Sequence, residues 1–313
     1  MRTRKLGHTN IDISCIGLGT NYVGGHGLYT DIDEDEGVRL VQRAVDLGVT
    51  FIDTADIYGF GRSEELVGKA IAGRRDQVVL ATKGANAFTD GQRTRVDNDP
   101  AYLRAALQAS LRRLGTDYVD FYYIHRHDER TPPEESFGEL MRMKEEGLIR
   151  AAGVSNFEPH QLSSALRAGP IDALQSRYNM LQREVEPEVL PLCVENGISF
   201  IPWGPLAFGL LGGRYERDFV LPADDWRHRS GVFDTDSFSH SLDLVEQLKQ
   251  RLEAPQIPIP HAAMQWLLHQ PGVGSVIAGA KTVAQVEQNA AANDVVLTAD
   301  ELAQMGSVLE VRT

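Results

Sequence analysis

Short apolar runs alternate with amphipathic stretches along the whole chain. Runs at Cys15–Leu18, Val49–Ile52, Val78–Ala81, Val119–Ile124, Arg150–Gly153, Ala173–Gln175, Ser199–Pro202 and Ser275–Ile277 are too short for helices and mostly rich in β-branched or aromatic residues. They predict about eight strands. Between them, Glu34–Leu47 places Val38, Val41, Ala44 and Val45 at close to helical spacing. Ser63-Glu64-Glu65 reads as an N-cap followed by first-turn acids. Tyr102–Leu114, Glu135–Glu146, His160–Ala168 and Pro187–Asn196 continue the series. Gly48, Gly73, Gly115, Gly147, Gly169 and Gly197 stand where a left-handed C-terminal residue is wanted.

Strict strand–helix alternation with short connections means parallel strands joined by right-handed crossovers. Eight such units predict an α/β fold closed into a (β/α)8 TIM barrel, one domain over residues 1–313, rather than an open doubly wound sheet. Arg4–Ser14 reads as a β-hairpin turning at Gly7–Asn10, ahead of the barrel and placed to plug its bottom. Long loops are expected at residues 84–99, after the third strand, and 212–240, after the seventh. Both would emerge at the C-terminal face, where barrel active sites lie.

Charge narrows the possible partners. A net charge of −13 speaks against a general nucleic-acid or anionic-membrane surface, while leaving room for a local basic pocket. Cys15 and Cys193 are the only cysteines, so the expectation is two thiols in a reducing compartment rather than a disulfide framework. The start of the chain reads as polar rather than as a signal peptide, and no apolar run approaches the roughly 18 residues of a membrane span. A cytoplasmic protein is expected; the oligomeric state is not legible.

Four ionisable residues fall at or just past successive strand ends: Asp53 and Tyr58 after the second, Lys83 after the third and His125 after the fourth. Neighbouring strands run about 4.8 Å apart, so these side chains converge at one rim. A tyrosine hydroxyl titrates near ~10, and a nearby ammonium lowers that value by stabilising the phenolate. An aspartate beside the lysine keeps it charged, and a histidine at the same mouth can orient a carbonyl oxygen. Each residue alone has a plainer reading: a rim ion pair, a surface tyrosine, a buried strand histidine. Those readings weaken when all four coincide at adjacent strand ends. His125-x-His127-Asp128 lacks a clear third ligand, so no metal is expected. Gly17-Leu18-Gly19 invites a dinucleotide fingerprint, but the third glycine position is Tyr22, and the fingerprint fails.

Phe51-Ile52-Asp53-Thr54-Ala55-Asp56-Ile57-Tyr58-Gly59, with Ser63-Glu64-Glu65-Leu66-Val67-Gly68 after it, resembles the signature of the aldo-keto reductase superfamily. Ala81-Thr82-Lys83, Tyr123-Ile124-His125 and Gly147-Leu148-Ile149-Arg150-Ala151-Ala152-Gly153-Val154-Ser155-Asn156-Phe157 are similar to further segments of it, in order, and the likeness runs from about Arg4 to Asn289. The resemblance implies reduction of small aldehydes or ketones, sugar aldehydes included, by NADPH, reversibly, with Tyr58 as general acid tuned by Lys83 and Asp53. It implies that Ser155, Asn156 and Gln175 hold the nicotinamide carboxamide, that Trp203 stacks on the ring, and that Gly19, Thr20 and Asp53 lie against it. Gly204, Pro205, Leu206 and Gly209 would cover the pyrophosphate. Gly279, Lys281, Gln285 and Asn289 would form the adenosine site, with Lys281 facing a 2′-phosphate. Departures are His127 where proline is frequent, Gly204 where serine is, and Gln285 where arginine is; the last weakens the preference for NADP and keeps NADH possible. Tyr22, Tyr58, Phe88, His125 and Trp203 are expected to line the substrate mouth. Trp226 and Trp266 have mostly bland readings. Rival readings are an NAD-linked sugar or polyol dehydrogenase, a cofactor-binding regulatory subunit similar to potassium-channel β subunits, and a Schiff-base aldolase using Lys83.

Overall fold

The protein is described here from a computed structural model covering residues 1–29, 31–223, 225–252 and 256–309. Asp224, inside the expected 212–240 loop, lies outside the described residues. Eight parallel strands close into a barrel in the order β3 (Ile16–Gly19), β4 (Phe51–Asp53), β5 (Val79–Gly84), β8 (Val119–Ile124), β9 (Ile149–Ser155), β10 (Ala173–Arg177), β11 (Ser199–Trp203) and β12 (Val276–Gly279). All eight expected runs are strands of this barrel. Most extend further toward their C-terminal ends than the apolar pattern alone indicated.

Helices α1 (Glu34–Asp46), α2 (Arg62–Ala70), α3 (Pro100–Leu114), α4 (Pro133–Glu145), α5 (Pro159–Ala165), α6 (Val189–Glu195), α7 (Thr235–Leu252), α8 (Ile259–Leu268), α9 (Val283–Ala291) and α10 (Ala299–Leu309) accompany the strands. Helix α1 shows how the sequence sets one. The Asp33 carboxylate accepts from the Glu36 N–H at 2.9 Å, acids fill the first turn, and Val38, Leu40, Val41, Ala44 and Val45 are buried on one face. Prolines open α3, α4 and α5, where a missing N–H costs nothing. Ser63, expected as an N-cap, lies inside α2, whose cap is Gly61. Its hydroxyl donates instead to the Thr20 carbonyl at 3.0 Å and joins the hydroxyls of Thr20 and Thr54, tying the helix to two strand ends.

The opening hairpin, β1 (Thr3–Lys5) paired with β2 (Asp12–Ser14), closes the barrel floor. Its Leu6, Ile11 and Ile13 pack with the inward residues Phe51, Ala81, Phe121, Tyr123, Ala151, Ala173, Ile201 and Ile277. Gly7 (φ 47°) donates its N–H to the Ser199 hydroxyl at 2.8 Å, and a Cβ there would sit 2.0 Å from the Asp172 carbonyl oxygen. Both partners stand at strand starts, so the plug is at the N-terminal end, as expected. Gly153 is a second required glycine, since a Cβ would press to 2.5 Å from the Phe121 ring.

The expected loop at 84–99 is largely a hairpin, β6 (Asn86–Thr89) and β7 (Gln92–Val96), turning at Asp90 (φ 49°) and Gly91 (φ 71°). Residues 212–240 are shorter as a loop than expected: a 3₁₀ turn spans Trp226–Ser230, and α7 begins at Thr235.

Candidate active site

Strand alternation decides what faces the barrel axis. Along each inward row the residues change from apolar at the floor to polar at the mouth: Phe51 then Asp53, Ala81 then Lys83, Tyr123 then His125, Ala173 then Gln175. The four expected residues therefore meet. The Lys83 ammonium donates to Asp53 Oδ1 at 2.5 Å, to the Thr54 carbonyl at 2.8 Å and to the Tyr58 hydroxyl at 3.4 Å, so all three of its protons are used. Gln175 Nε2 donates to the other Asp53 oxygen at 2.8 Å. Lys83 is 0% exposed and Asp53 2%. Tyr58 sits in the turn just past β4, its N–H donating to the Ala55 carbonyl at 3.2 Å. The His125 ring stands edge-on to Tyr58, centroids 6.0 Å apart at 83°.

Burial controls the protonation states. It pushes the Tyr58 phenol above its ordinary value; Lys83 pulls the other way and does not win. The expectation that Lys83 leaves this phenol with a lowered pKa is therefore corrected for the protein by itself: loss of hydration outweighs the ammonium, and Tyr58 stays protonated at neutral pH. Burial also works against the Lys83 charge, but Asp53 and Tyr58 prevail and hold it protonated. Burial, with Lys83, Arg126 and Arg93 adding repulsion, drives His125 well below 6.5, so its imidazole is neutral. Its Nδ1 is buried with no partner among the described residues. The arrangement holds a protonated phenol and a neutral ring nitrogen around one opening, which is what protonating and orienting a carbonyl oxygen requires.

The expected dinucleotide residues fall into three groups on the same face. At the ring end, Ser155 closes β9 and Asn156 follows it at φ 57°. Asn156 Nδ2 donates to Ser155 Oγ at 2.8 Å and to the His125 carbonyl at 3.3 Å, and its Oδ1 accepts from Trp203 Nε1 at 3.0 Å. Asn156 is thus occupied in fixing Trp203, and the Ser155 hydroxyl proton has no acceptor among the described residues. Thr20 Oγ1 donates to the Asp53 carbonyl at 3.1 Å, and Gly19 pairs with both Asp53 and Gly279. In the middle, Gly204 (φ 66°), Pro205 and Leu206 lead into Ala207 (φ 48°), Phe208 (φ 57°) and Gly209 (φ 102°). Two successive non-glycine residues in the left-handed region cost roughly 1–3 kcal/mol each and point to a functional loop. At the far end, Gln285 Oε1 accepts from the Lys281 N–H at 2.6 Å, and Asn289 Nδ2 donates to the Gly279 carbonyl at 3.2 Å. Lys281 Nζ lies 3.4 Å from Asp31 Oδ2 and over the rings of Tyr22 and Tyr29, 4.9 and 5.1 Å from their centroids. Ser155, Gln175, Trp203 and Gly279 stand at or near the C-terminal ends of β9, β10, β11 and β12, which are neighbours in the barrel.

Tyr22 is buried beneath Lys281 with its hydroxyl bonded to the Asp31 carbonyl, so it belongs to that end of the groove rather than to the substrate mouth. Sequence reasoning missed Trp226. Its ring makes edge contacts with Tyr29 at 6.1 Å and Phe208 at 5.5 Å, and Phe208 in turn with Trp203 at 6.3 Å. It also missed Phe60, whose ring meets Phe88 at 5.7 Å and joins the β6–β7 hairpin to the Tyr58 turn. Aromatic character alone could have flagged both, but nothing local shows which aromatics come together.

Residues 15–310 match the model of the Aldo/keto reductase family. The chain is 36% identical over 313 residues to aldo-keto reductase YhdN of Bacillus subtilis, covering 99% of this chain and 94% of that protein. It is 34% identical to the aldo-keto reductase yakc [NADP(+)] of Schizosaccharomyces pombe, over 92% of this chain and 85% of that one. Among solved structures, the glycerol dehydrogenase AKR11B4 from Gluconobacter oxydans superposes with a TM-score of 0.90 at 32% identity, covering 98% of this chain and 94% of the other.

Proposed function

Because the chain belongs to the aldo/keto reductase family, we propose that it is an NADP(H)-dependent reductase of small aldehydes and ketones in which Tyr58 is the general acid. The observation that carries this reading is the Lys83 ammonium, buried and held between Asp53 at 2.5 Å and the Tyr58 hydroxyl at 3.4 Å. When bound, the dinucleotide supplies the hydride, or accepts it in the reverse direction.

The protein's own groups do the rest. Neutral His125 donates a hydrogen bond that orients the carbonyl oxygen beside Tyr58, and Tyr58 gives that oxygen its proton. The phenolate left behind is stabilised by Lys83, whose charge Asp53 maintains; Gln175 fixes Asp53 in turn. Burial of Asp53, Lys83 and Gln175 behind the half-buried Tyr58 and His125 shields the supporting bonds from water and strengthens them. Ser155 and Gln175 offer a donor and an acceptor for a carboxamide, Trp203 a stacking face, and Lys281 a cation for a 2′-phosphate, consistent with the NADP(+) in the name of the fission-yeast relative.

The test is a carbonyl panel followed by loss of NADPH absorbance, with wild type beside Tyr58→Phe. The variant is expected to lose about 10²-fold or more in the chemical step while still binding NADPH. Undiminished turnover would remove Tyr58 from the role. The glycerol dehydrogenase among the structural neighbours favours a second reading, oxidation of a polyol by NAD. Running the panel in both directions, with both dinucleotides, separates the two.

A further inference from the structure

Two arginines at the substrate mouth have no hydrogen-bond or ion-pair partner for their guanidinium groups among the described residues. Arg126 directly follows His125, and its carbonyl accepts from Asn98 Nδ2 at 2.9 Å, which pins the backbone at that point. Arg93 lies on β7 directly opposite Phe88. Opposite residues of an antiparallel pair project to the same face, and the Phe88 ring packs on Phe60 of the catalytic turn. Arg93 therefore stands on the hairpin face that is turned toward Tyr58. Arg93 is exposed to solvent, and Arg126 keeps solvent-exposed surface while its guanidinium is partly covered.

Two of the nearby carboxylates are committed elsewhere. Asp97 pairs with Arg95 at 2.6 Å. Asp128 accepts from the N–H groups of Asn98, Arg130 and Thr131 and pairs with the Arg130 guanidinium at 3.3 Å. In a chain of net charge −13, two unpaired cations side by side at the one opening where a substrate must enter are an asymmetry that needs a reason. Their fields overlap on the reacting groups. Both depress His125, and Arg126, lowered by burial and then by Arg93, in turn favours the Tyr58 phenolate. Like charges brought together repel each other, and a bound anion relieves that repulsion while using the planar donor forks of both side chains.

We propose that Arg93 and Arg126 form an anion-binding subsite at the mouth of the barrel, so that the preferred substrates are aldehydes or ketones carrying a carboxylate or phosphate a few bonds from the carbonyl. The proposal rests on the reductase reading above for the carbonyl end and adds the chemistry of the other end. The anion docks between the two guanidiniums, and the chain connecting it to the carbonyl then sets the distance to His125 and Tyr58.

The experiment compares matched pairs, 4-oxobutanoate with butanal and glyceraldehyde 3-phosphate with glyceraldehyde. Wild type, Arg93→Gln, Arg126→Gln and the double variant are assayed with NADPH at low and at raised salt. Wild type is expected to favour the anionic member of at least one pair by about tenfold or more in kcat/KM. The double variant should lose that preference through KM of the anionic member, and salt should weaken it in wild type. A response confined to one pair identifies the anion as carboxylate or phosphate. A wild type indifferent to charge in both pairs, or a double variant that keeps the preference, overturns the proposal. Calorimetric binding of succinate and of inorganic phosphate gives a readout free of turnover: affinity about tenfold weaker in the double variant supports the subsite, and equal affinity overturns it. If no carbonyl is reduced while anion binding still depends on both arginines, the reductase reading fails and the subsite stands.

Discussion

The two ends of the barrel are built from the same inward-facing rows and have opposite characters. At the floor, Phe51, Phe121, Ala173 and Ile201 meet the hairpin residues Leu6, Ile11 and Ile13 in a dry cluster. One or two pleats higher, the same strands present Asp53, His125, Gln175 and Trp203. The floor is buried and the rim's Asp53 and Gln175 are buried too, with His125 and Trp203 half-buried, so burial alone does not separate structure from chemistry. What separates them is how the buried groups are satisfied. The floor hides mostly apolar surface, whereas the rim's charges depend on specific polar partners, Lys83 on Asp53, the Thr54 carbonyl and Tyr58, and Asp53 on Lys83 and Gln175. The floor should therefore tolerate loss of atoms at a graded cost to stability, and the rim should not tolerate loss of a single partner.

The largest effect should come from breaking the rim's ion pair. Asp53→Ala leaves the Lys83 ammonium buried, with the Thr54 carbonyl and the Tyr58 hydroxyl as its remaining acceptors. Removing one member of a buried pair typically costs about 3–5 kcal/mol, so denaturant unfolding should show a loss of that order together with loss of turnover. Adding Lys83→Met should recover stability but not activity. If the single variant is as stable as wild type, the rim does not depend on pairing and the contrast drawn above is wrong.

A floor substitution should fall next, with the opposite signature. Ile13 is 0% exposed within the plug, and Ile13→Ala removes buried methyl groups at about 2–5 kcal/mol. The floor meets the Asp53–Lys83–Gln175 network through Tyr123, whose ring centroid lies 5.8 Å from Lys83 Nζ, and Ile13→Ala removes none of the network's own groups, so the folded fraction should keep its kcat on any carbonyl that wild type reduces. A matched fall in kcat at temperatures where the variant is folded would show that the plug positions the rim.

The same contrast explains what could be read in advance. The eight strands were legible because their floor ends are apolar and β-branched; their mouth ends were clipped because Asp53 and Lys83 stand where the apolar pattern stops and Trp203 follows Pro202. The convergence of Asp53, Lys83 and His125 was legible from spacing, since a strand end fixes a side chain's height and parity fixes its direction. Ser63 misled because its hydroxyl serves a three-way cluster with Thr20 and Thr54 instead of its own helix. The hairpin at Asn86–Val96 was hidden by a register shift between Ala87 and Phe88, which breaks the alternation that marks a strand. Trp226, Tyr29 and Phe208 come from segments distant in the chain, and their meeting depends on loop paths that carry no period. Burial's victory over Lys83 at the Tyr58 hydroxyl was also out of reach, because desolvation depends on what surrounds a group and not on the residue type beside it.

The smallest effect should lie at the outer end of the groove, where neither rule applies fully. Lys281 is held by Asp31, whose side chain is 65% exposed, at 3.4 Å, and by the faces of Tyr22 and Tyr29. An exposed pair of this kind contributes about 0–1 kcal/mol, so Lys281→Ala should leave stability nearly unchanged. The same weakness lets Lys281 exchange Asp31 for a 2′-phosphate at little cost, and a charge-assisted bond to phosphate is stronger than the pair it replaces. The variant should therefore lose affinity for NADPH, by roughly tenfold at low salt and less as salt rises, and keep its affinity for NADH. Fluorescence titration of each dinucleotide against wild type and variant measures this directly. An unchanged ratio of the two affinities would take Lys281 out of cofactor choice and favour the NAD-linked polyol reading over the NADP-linked one.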